Sequence, residues 1–359
     1  MGRTDDRLAR RGGAVELLRA PAAFYGVAVR CRNRLYDRGW LRAERLDLPV
    51  VSVGNLTAGG TGKTPLVAWV ARELERRGLP PGISTRGYKA PRGMAGDETL
   101  LLAELLPGSL YAEDPDRVRG ARQLAELGAG AVVLDDGFQH RRLARDLDLV
   151  LVDATRPWGL AVDAAGRSVR ALLPRGLLRE PPEALARADL ILVTRADQVG
   201  EERLRAHERE LSGLAPHVPL ARAAHRPVAL REERDGRTSR RPLEDLRGRP
   251  VDLASGIGNP EAFEASVRAL GARIERHARF GDHHAWSARD LAGLGEGGRW
   301  LVTTAKDAVK LRGLVPELRV LEIEIEILSG AAPLEAMLDG VARPRGEHAR
   351  AARPAGLHG

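Results

Sequence analysis

Residues 48–77 read LPVVSVGNLTAGGTGKTPLVAWVARELERR, and this stretch decides the fold class. The apolar, β-branched run at 48–53 predicts a buried strand. Residues 65–77 place apolar and charged side chains with the spacing of an amphipathic helix. The segment between them is rich in glycine and ends in Lys63 and Thr64. A strand, a glycine-rich loop and a helix in this order predict a phosphate-binding loop.

This phosphate-binding loop (P-loop) covers eight residues, Thr57, Ala58, Gly59, Gly60, Thr61, Gly62, Lys63 and Thr64. In such a loop the backbone N–H groups turn toward phosphate oxygens, and the N-terminus of the next helix adds a favourable dipole. We expect Lys63 to reach the β- and γ-phosphates of ATP, and the Thr64 hydroxyl to ligate Mg²⁺. The strict pattern has glycine where this chain has Thr57. A purely structural turn, however, would not need lysine and threonine at the helix start.

A second acidic element should lie at the end of a neighbouring strand, where it would support the metal. Asp135 and Asp136 follow the apolar run 131–134 and meet this requirement. We expect one of the two carboxylates to hold Mg²⁺ directly or through water. The alternative is an Asp-Gly turn that caps a helix, which is a common structural motif.

Phosphoryl transfer to an alcohol also needs a group that accepts or orients the hydroxyl proton. The candidates are Asp97 and the run FGDHH at 280–284, which contains His283. Asp97 could instead cap a helix that begins at Thr99, and the histidines could form a surface turn or a weak metal pair. From the residues alone, the chain is a P-loop phosphotransferase or NTPase whose substrate is unknown.

The rest of the chain alternates short strands with helices, which predicts an α/β fold with a mostly parallel sheet. We expect an N-terminal tail and helix at 1–47, a P-loop core domain at 48–155, a linker and second, smaller α/β domain at 156–340, and a disordered tail at 341–359. The further predicted strands lie at 82–84, 131–134, 147–152, 190–193, 251–254, 300–303 and 320–327.

Composition restricts the partners only loosely. The formal net charge is +8, which can favour nucleic acid, an anionic membrane surface or a phosphorylated substrate. No aromatic-rich RNA-binding signature accompanies this charge, and we expect no nucleic-acid partner. Only four of the 57 basic residues are lysines, so a retained lysine weakly marks a place where a compact ammonium matters. Chance retention explains Lys89 and Lys310 equally well, but not Lys63.

The N-terminal region from 15 to 40 has the pattern of a basic amphipathic helix. Its longest uncharged run, 20–29, is half of the roughly 20 residues that span a bilayer. Such a helix can lie among the headgroups of an anionic leaflet, or it can pack on its own domain as a solvated helix. Cys31 is the single cysteine and fits a reducing compartment.

Several motifs together resemble the tetraacyldisaccharide 4′-kinase family over residues 17–328. In chain order they are VGNLTAGGTGKTP at 53–65, TRGY at 85–88, GDE at 96–98, DDGFQH at 135–140, LLRE at 177–180, GIGNP at 256–260, DHH at 282–284 and KDAVK at 306–310. The family shares threonine at the first P-loop position. Its members often have an acidic residue before the lysine that matches Lys306, where this chain has Ala305.

The resemblance implies transfer of the ATP γ-phosphate to the 4′-hydroxyl of tetraacyldisaccharide 1-phosphate, which gives lipid IVA in lipid A biosynthesis. It implies that Asp97 acts as base with help from His283, and that Asp135 and Asp136 are the metal-side carboxylates. It also places three residues near the nucleotide or substrate, namely Gln139, Arg179 and Glu180.

An acylated substrate resides in a membrane, so the resemblance also changes the interpretation of the N-terminal helix. It implies a helix that faces the membrane, with its arginines on lipid phosphates. The implied location is the cytoplasmic face of the bacterial inner membrane.

Two other classes of nucleotide-binding protein share part of the pattern. Dimeric partitioning-type ATPases often carry a signature lysine at the position of Ala58, and its absence argues against them. The run TRAD at 194–197 is similar to the guanine-reading element of GTPases, but it has Arg195 where that element needs lysine.

Overall fold

The computed structural model describes residues 8–9, 12–87, 95–162 and 167–343. Tyr88 and Lys89 of the sequence motifs lie outside the described residues. So do residues 1–7 and 10–11 of the predicted N-terminal tail and helix at 1–47, and all of the predicted disordered tail except 341–343. Within the described residues, twelve strands join one sheet.

The helices alternate with the strands along most of the chain. The strands are β1 (Val50–Asn55), β2 (Pro81–Thr85), β3 (Leu110–Glu113), β4 (Ala131–Asp135), β5 (Leu147–Asp153), β6 (Leu190–Thr194), β7 (Leu220–Arg234), β8 (Arg237–Arg241), β9 (Pro250–Ser255), β10 (Arg273–Arg279), β11 (Trp300–Thr304) and β12 (Glu317–Ser329). The helices are α1 (Arg19–Asp37), α2 (Lys63–Arg76), α3 (Asp97–Leu105), α4 (Arg117–Glu126), α5 (Glu201–Leu214), α6 (Pro260–Ala269), α7 (Ala305–Leu311) and α8 (Ala331–Ala342).

The strand order across the sheet is β10-β9-β11-β12-β7-β6-β5-β1-β4-β2-β3, with β8 paired to β7. Neighbouring strands are parallel except at two places, where β7 runs antiparallel to β12 and to β8. The predicted α/β fold with a mostly parallel sheet is therefore confirmed. Parallel strands end at the same edge of a sheet, so the loops after β1 and β4 meet there.

The central strands are buried along their whole length because helices cover both faces of the sheet. β1, β4 and β5 have no exposed residue, as expected for strands rich in Val and Leu. Helix α2 places Leu66, Val70 and Leu74 against this sheet, and none of the three is exposed to solvent. Full burial of each such side chain contributes about 1.5–3 kcal/mol, which fixes the start of α2 at the end of β1.

A second set of cores covers the far half of the sheet, which consists of β9, β10, β11 and β12. Leu253, Phe263 and Val302 belong to one cluster, and Leu291 and Leu311 to another. The long strands β7 and β12 connect this half to the half that holds the P-loop. β6, which lies beyond residue 155, pairs with β5 in the P-loop half. The predicted division at residue 155 stays a prediction.

The predicted N-terminal helix is present as α1, preceded by a 3-10 helix at Gly13–Leu18. One side of α1 packs on the molecule through Ala22, Gly26 and Val29. Phe24 and Val27 point away from it and are 79% and 66% exposed. Among the described helices, none has the length and apolar character needed to cross a bilayer.

Candidate active site

The P-loop is built between β1, which ends at Asn55, and α2, which begins at Lys63. Gly62 lies just before the helix with a φ of 75°, a left-handed conformation that glycine adopts without strain. A Cβ atom there would also come 2.1 Å from the His225 ring, so two independent reasons require glycine. The Lys63 ammonium lies 3.2 Å from Asn55 Oδ1 and 3.3 Å from Asp136 Oδ1.

The first two positions of the loop are held by backbone contacts to the segment at 177–179. Ala58 N–H donates to the Leu177 carbonyl at 2.7 Å, and Arg179 N–H donates to the Leu56 carbonyl at 2.7 Å. The buried Thr57 hydroxyl accepts a hydrogen bond from Asn55 Nδ2 at 3.0 Å. Threonine at this position therefore has a structural role, which the strict glycine pattern does not predict.

Asp136 is the carboxylate that faces Lys63. Arg179 donates to both of its oxygens, at 2.6 and 2.7 Å, and also to the Asn55 carbonyl at 3.1 Å. Gln139 Nε2 donates to the same carbonyl at 2.9 Å. Burial alone would raise the pKa of Asp136, but the adjacent Lys63 and Arg179 hold that pKa below its ordinary value. The carboxylate therefore stays charged and fixes both cations.

Asp135 is the neighbouring carboxylate, and it has a different environment. Its side chain is buried, and its Oδ1 atom has no hydrogen-bond partner. Burial raises the pKa of Asp135 to about 7, and the nearby Glu98 contributes in the same direction. An unpartnered buried carboxylate oxygen carries a desolvation cost that a bound cation would remove.

Asp97 is the first residue of α3, and its carboxylate does not cap the helix. The N-cap is Gly96, and no side chain caps this end. The interpretation of Asp97 as the cap of a helix beginning at Thr99 is therefore wrong. Asp97 Oδ2 instead lies 2.8 Å from Lys310 Nζ and 3.5 Å from His283 Nδ1. Contact with His283, followed by contact with Lys310, lowers the pKa of Asp97 to about 2.

A second group of charges lies beside this pair. Lys306 Nζ donates to Asp282 Oδ1 at 2.9 Å and lies 3.7 Å from Glu98 Oε1. His283 has a left-handed backbone with a φ of 61°, a conformation that costs a non-glycine residue roughly 1–3 kcal/mol. Such strain is common at functional sites, because surrounding contacts hold the residue in place.

Two cavities meet at the P-loop. The first, of about 540 Å³, brings Lys63, Asp136 and Arg179 together with Asp282 and His283. The second, of about 460 Å³, has Thr64 and Asp135 on one side. Its other side carries Ile257, Phe263 and Ile323 from the far half of the sheet. Asp97 lines neither cavity, but its carboxylate contacts His283, which lines the first.

Glu180 is fully buried and also lines neither cavity. Its carboxylate accepts hydrogen bonds from Asn33 at 2.7 Å and from Arg187 at 2.9 Å. Asn33 belongs to α1, so this carboxylate attaches the N-terminal helix to the segment that carries Arg179. Tyr25 of α1 also donates to the Arg179 carbonyl at 2.8 Å.

The structure adds residues that sequence reasoning did not select. Asn55 contacts Lys63 and Arg179, and Asn259 Nδ2 donates to the buried Asp153 carboxylate at 3.0 Å. The GIGNP motif brings Gly258 against Gly60 of the P-loop, where a Cβ on Gly258 would come 2.4 Å from the Gly60 nitrogen. Asn55 and Asn259 both lie inside motifs quoted above, and this position in a motif is the sequence feature that could have identified them.

Protein side chains alone do not form a closed metal site here. In the part of the chain that the structure describes, no group of three or more His, Cys, Asp or Glu side chains could hold a metal ion. A P-loop metal is bound differently, since a hydroxyl, one carboxylate and the phosphates of the nucleotide share the ligation.

Known proteins resemble this chain over nearly its whole length. A family model named LpxK, described as tetraacyldisaccharide-1-P 4′-kinase, matches residues 14–343. The tetraacyldisaccharide 4′-kinase of Anaeromyxobacter dehalogenans strain 2CP-C is 43% identical over 353 residues, which cover 90% of this chain and 89% of that protein. The Geobacter sulfurreducens protein of the same name is 38% identical and covers 92% and 95%.

One solved structure also matches closely. It is the "apo" form of LpxK from Aquifex aeolicus in complex with ATP, with a TM-score of 0.70 and 27% sequence identity. The match covers 92% of this chain and all of that one.

By its fold and by the lysine at the start of α2, the chain is a P-loop protein of the phosphotransferase or NTPase class. The comparisons narrow this class, and the chain belongs to the tetraacyldisaccharide 4′-kinase family. The resemblance drawn from the motifs is therefore confirmed, and with it the predicted class of ATP-dependent kinase.

Proposed function

We propose that this chain transfers the γ-phosphate of ATP to the 4′-hydroxyl of tetraacyldisaccharide 1-phosphate, which gives lipid IVA. The observation that carries the proposal is the 540 Å³ cavity, in which Lys63 of the P-loop and His283 of the far half line one space. A nucleotide phosphate at the P-loop and an acceptor hydroxyl near His283 would then meet in that space. Family membership supplies the identity of the acceptor.

In the proposed reaction the 4′-oxygen forms a bond to the γ-phosphorus while the bond from that phosphorus to the bridging β–γ oxygen breaks. ADP leaves, and the hydroxyl proton passes to Asp97. The backbone N–H groups of residues 57–64 bind the phosphates, and Lys63 neutralises their charge. Since the transition state of phosphoryl transfer is loose, catalysis depends mainly on positioning and charge stabilisation.

The side chains that would hold Mg²⁺ fit such an ion. Thr64 supplies a hydroxyl at the start of α2, and Asp135 supplies the buried oxygen that has no hydrogen-bond partner. Asp136 is already engaged by Lys63 and Arg179, which favours Asp135 as the carboxylate on the metal. Bound Mg²⁺ would neutralise charge on the phosphate oxygens.

Asp97 and His283 act on the acceptor in this proposal. Asp97 is ionised at neutral pH, so it can accept a hydrogen bond from the hydroxyl group, and His283, which contacts Asp97, lines the cavity. Gln139 and Arg179 hold the P-loop at Asn55, and Arg179 also lines the cavity, within reach of a phosphate. Glu180 acts at a distance, because it attaches α1 to the segment of Arg179.

We also propose that α1 docks on the cytoplasmic face of the bacterial inner membrane. Its outward side exposes Phe24 and Val27, and the 3-10 helix before it exposes Leu17; all three are large apolar side chains near basic residues of the same region. Apolar side chains flanked by arginine suit insertion among anionic headgroups. An acyl-chain substrate would then reach the cavity from the membrane surface.

The direct test is mass spectrometry of the lipid after incubation of the full chain with ATP, Mg²⁺ and tetraacyldisaccharide 1-phosphate. We expect one added phosphate on the distal sugar, with ATP consumed only when the acceptor is present. ATP consumption without any acceptor, and no lipid product, would favour a nucleotide-switch ATPase and contradict the proposal.

A further inference from the structure

Helix α7 presents its basic residues to the acidic side of α3. Lys310 contacts Asp97 at 2.8 Å, and Lys306 lies 3.7 Å from Glu98. Residues four apart lie on one side of a helix, so both lysines face α3 together. Arg312, just after α7, continues the series with an ion pair to Glu104 near the end of α3.

These contacts connect the two halves of the molecule. α3 packs with α2 through Leu102, which belongs to the same core cluster as the strands around the P-loop. α7 follows β11 in the far half, where Ala308 and Leu311 are buried in another core. The ion pairs between α3 and α7 therefore hold the side chains of one half at a fixed distance from those of the other half.

The contact between Lys310 and Asp97 has a specific geometry. Lys310 Nζ and His283 Nδ1 both approach Oδ2 of Asp97, at 2.8 and 3.5 Å. The other carboxylate oxygen, Oδ1, takes part in neither of these two contacts. Lys310 is itself mostly buried, with 14% of its side chain exposed, so solvent screens this contact less than a surface pair.

We propose that Lys310 is a positioning residue for phosphoryl transfer, whose ammonium group holds Asp97 by Oδ2 so that Oδ1 faces the acceptor hydroxyl. The inference rests on the proposed function. It also gives a reason for a lysine at this position in a chain that otherwise uses arginine. A compact ammonium fits between the two helices, where a planar guanidinium would direct several donors in fixed directions.

The charged groups around Asp97 determine how its pKa changes when Lys310 is removed. His283, from the loop after β10, and Lys310, from α7, contact Asp97 directly. Asp282 and Glu98 each lie near His283 and pair with Lys306, so they form the next layer of charge. Lys310 is the cation nearest to Asp97 among them. Its removal leaves the neighbouring carboxylates less compensated, which raises the pKa of Asp97.

The test compares Lys310→Met with the parent chain in steady-state phosphorylation of the lipid acceptor. We expect kcat to fall on the order of 10²-fold, as for other small misplacements of a reacting group, with KM for ATP unchanged. Arg205→Met is the matched control, because Arg205 forms an exposed ion pair with Glu201 on α5, far along the chain from the site. Loss of such a surface pair should change neither constant.

The pH profile separates positioning from a general structural role. Without Lys310 the pKa of Asp97 in the folded protein rises. The acidic limb of the kcat/KM profile of Lys310→Met should therefore move toward neutral pH by about one unit. Restored function gives a further check. In a Cys31→Ser background, Lys310→Cys can be alkylated with bromoethylamine, which rebuilds a lysine-like ammonium on the same folded polypeptide. We expect this treatment to recover most of the lost kcat.

The outcomes divide clearly. Parental kcat in Lys310→Met, an unmoved acidic limb, or no recovery after alkylation would each overturn the inference while leaving the proposed function intact. If Lys310→Met fails to fold, Lys310→Cys before and after alkylation decides the question alone. A parent chain that phosphorylates no lipid acceptor would overturn the proposed function and this inference with it.

Discussion

Lys63 is the residue on which the proposed chemistry depends most directly. Its ammonium lies between Asn55 and Asp136, and Asp136 is in turn held by Arg179. The lysine is therefore oriented by its neighbours, so a phosphate that binds there meets a cation already in place. Preorganised charges of this kind need no rearrangement during the reaction, which is why they contribute strongly to rate.

For Lys63→Ala we expect kcat to fall by about 10² to 10⁴, the range for removal of one strong electrostatic group. The lipid product, measured by mass spectrometry at saturating ATP, gives the rate. Arg268→Met is a suitable control, since it removes a cation from an exposed pair with Glu264 on α6. Near-normal turnover in Lys63→Ala would show that the loop is not where transfer takes place.

How much of the site the sequence predicts depends on whether a contact is local. Lys63 and Thr64 could be assigned because eight consecutive residues form the phosphate cradle. The pairing of Arg179 with Asp136 spans 43 positions, and no periodicity connects the two. The same holds for Lys310 and Asp97. Such contacts arise only when the sheet brings distant loops together, so they needed the structure.

Among the elements, α1 has two sides with different roles. The inward side carries Asn33 and Tyr25, which bind the buried Glu180 and the backbone of Arg179. The outward side carries Phe24 and Val27 in solvent. Deleting the whole helix would remove both roles together and leave the Glu180 carboxylate without Asn33. Substitutions on the outward side alone therefore test membrane docking more cleanly.

We expect the double variant Phe24→Ser and Val27→Ser to sediment about tenfold to a hundredfold less with anionic vesicles, because two apolar anchors are lost. Its free energy of unfolding should match the parent, since neither side chain is buried. Leu127→Ser, which alters another exposed apolar residue after α4, controls for general surface hydrophobicity. Unchanged sedimentation of the double variant would exclude this side of α1 as the docking surface.

Elements with a clear apolar pattern were predicted well, and the exposed strands were missed. β1, β4 and β5 are short buried runs, and their observed bounds agree closely with the predicted ones. β8 and β10 are rich in arginine and lie at exposed positions, so neither shows a run of apolar residues. β7 was also missed, because its charged second half pairs with β8 and β12 through backbone hydrogen bonds that composition does not reveal.

At the scale of the whole molecule, the two halves are joined through the sheet and through side-chain contacts. β6 and β7 pair over three residues, Ile191 to Val193, before β7 continues along β12. Beside this pairing, the buried Asp153 at the end of β5 accepts a hydrogen bond from Asn259 and pairs with Arg195. Asn259 is also the N-cap of α6, with its oxygen bonded to Ala262 N–H at 3.2 Å.

Asn259→Ala should therefore lower the free energy of unfolding by about 2–4 kcal/mol, because it removes a helix cap and a donor to a buried carboxylate. Denaturant titration measures this change. Ser287→Ala is the comparison, since Ser287 caps the short helix at Ala288–Leu291 without any contact to Asp153 in its described capping box. Equal losses in the two variants would mean that the bond to Asp153 adds nothing to stability.

The approach of Gly258 to Gly60 has a mechanical consequence for an enzyme that must admit ATP and release ADP in every cycle. The atoms nearest to these two glycines across the contact are backbone atoms of the opposite loop. A contact between backbone atoms can open and close without any change of side-chain rotamer, so either movement changes the side-chain entropy little. The two loops can therefore separate at this contact, beside the phosphates, without repacking side chains between Gly60 and Gly258.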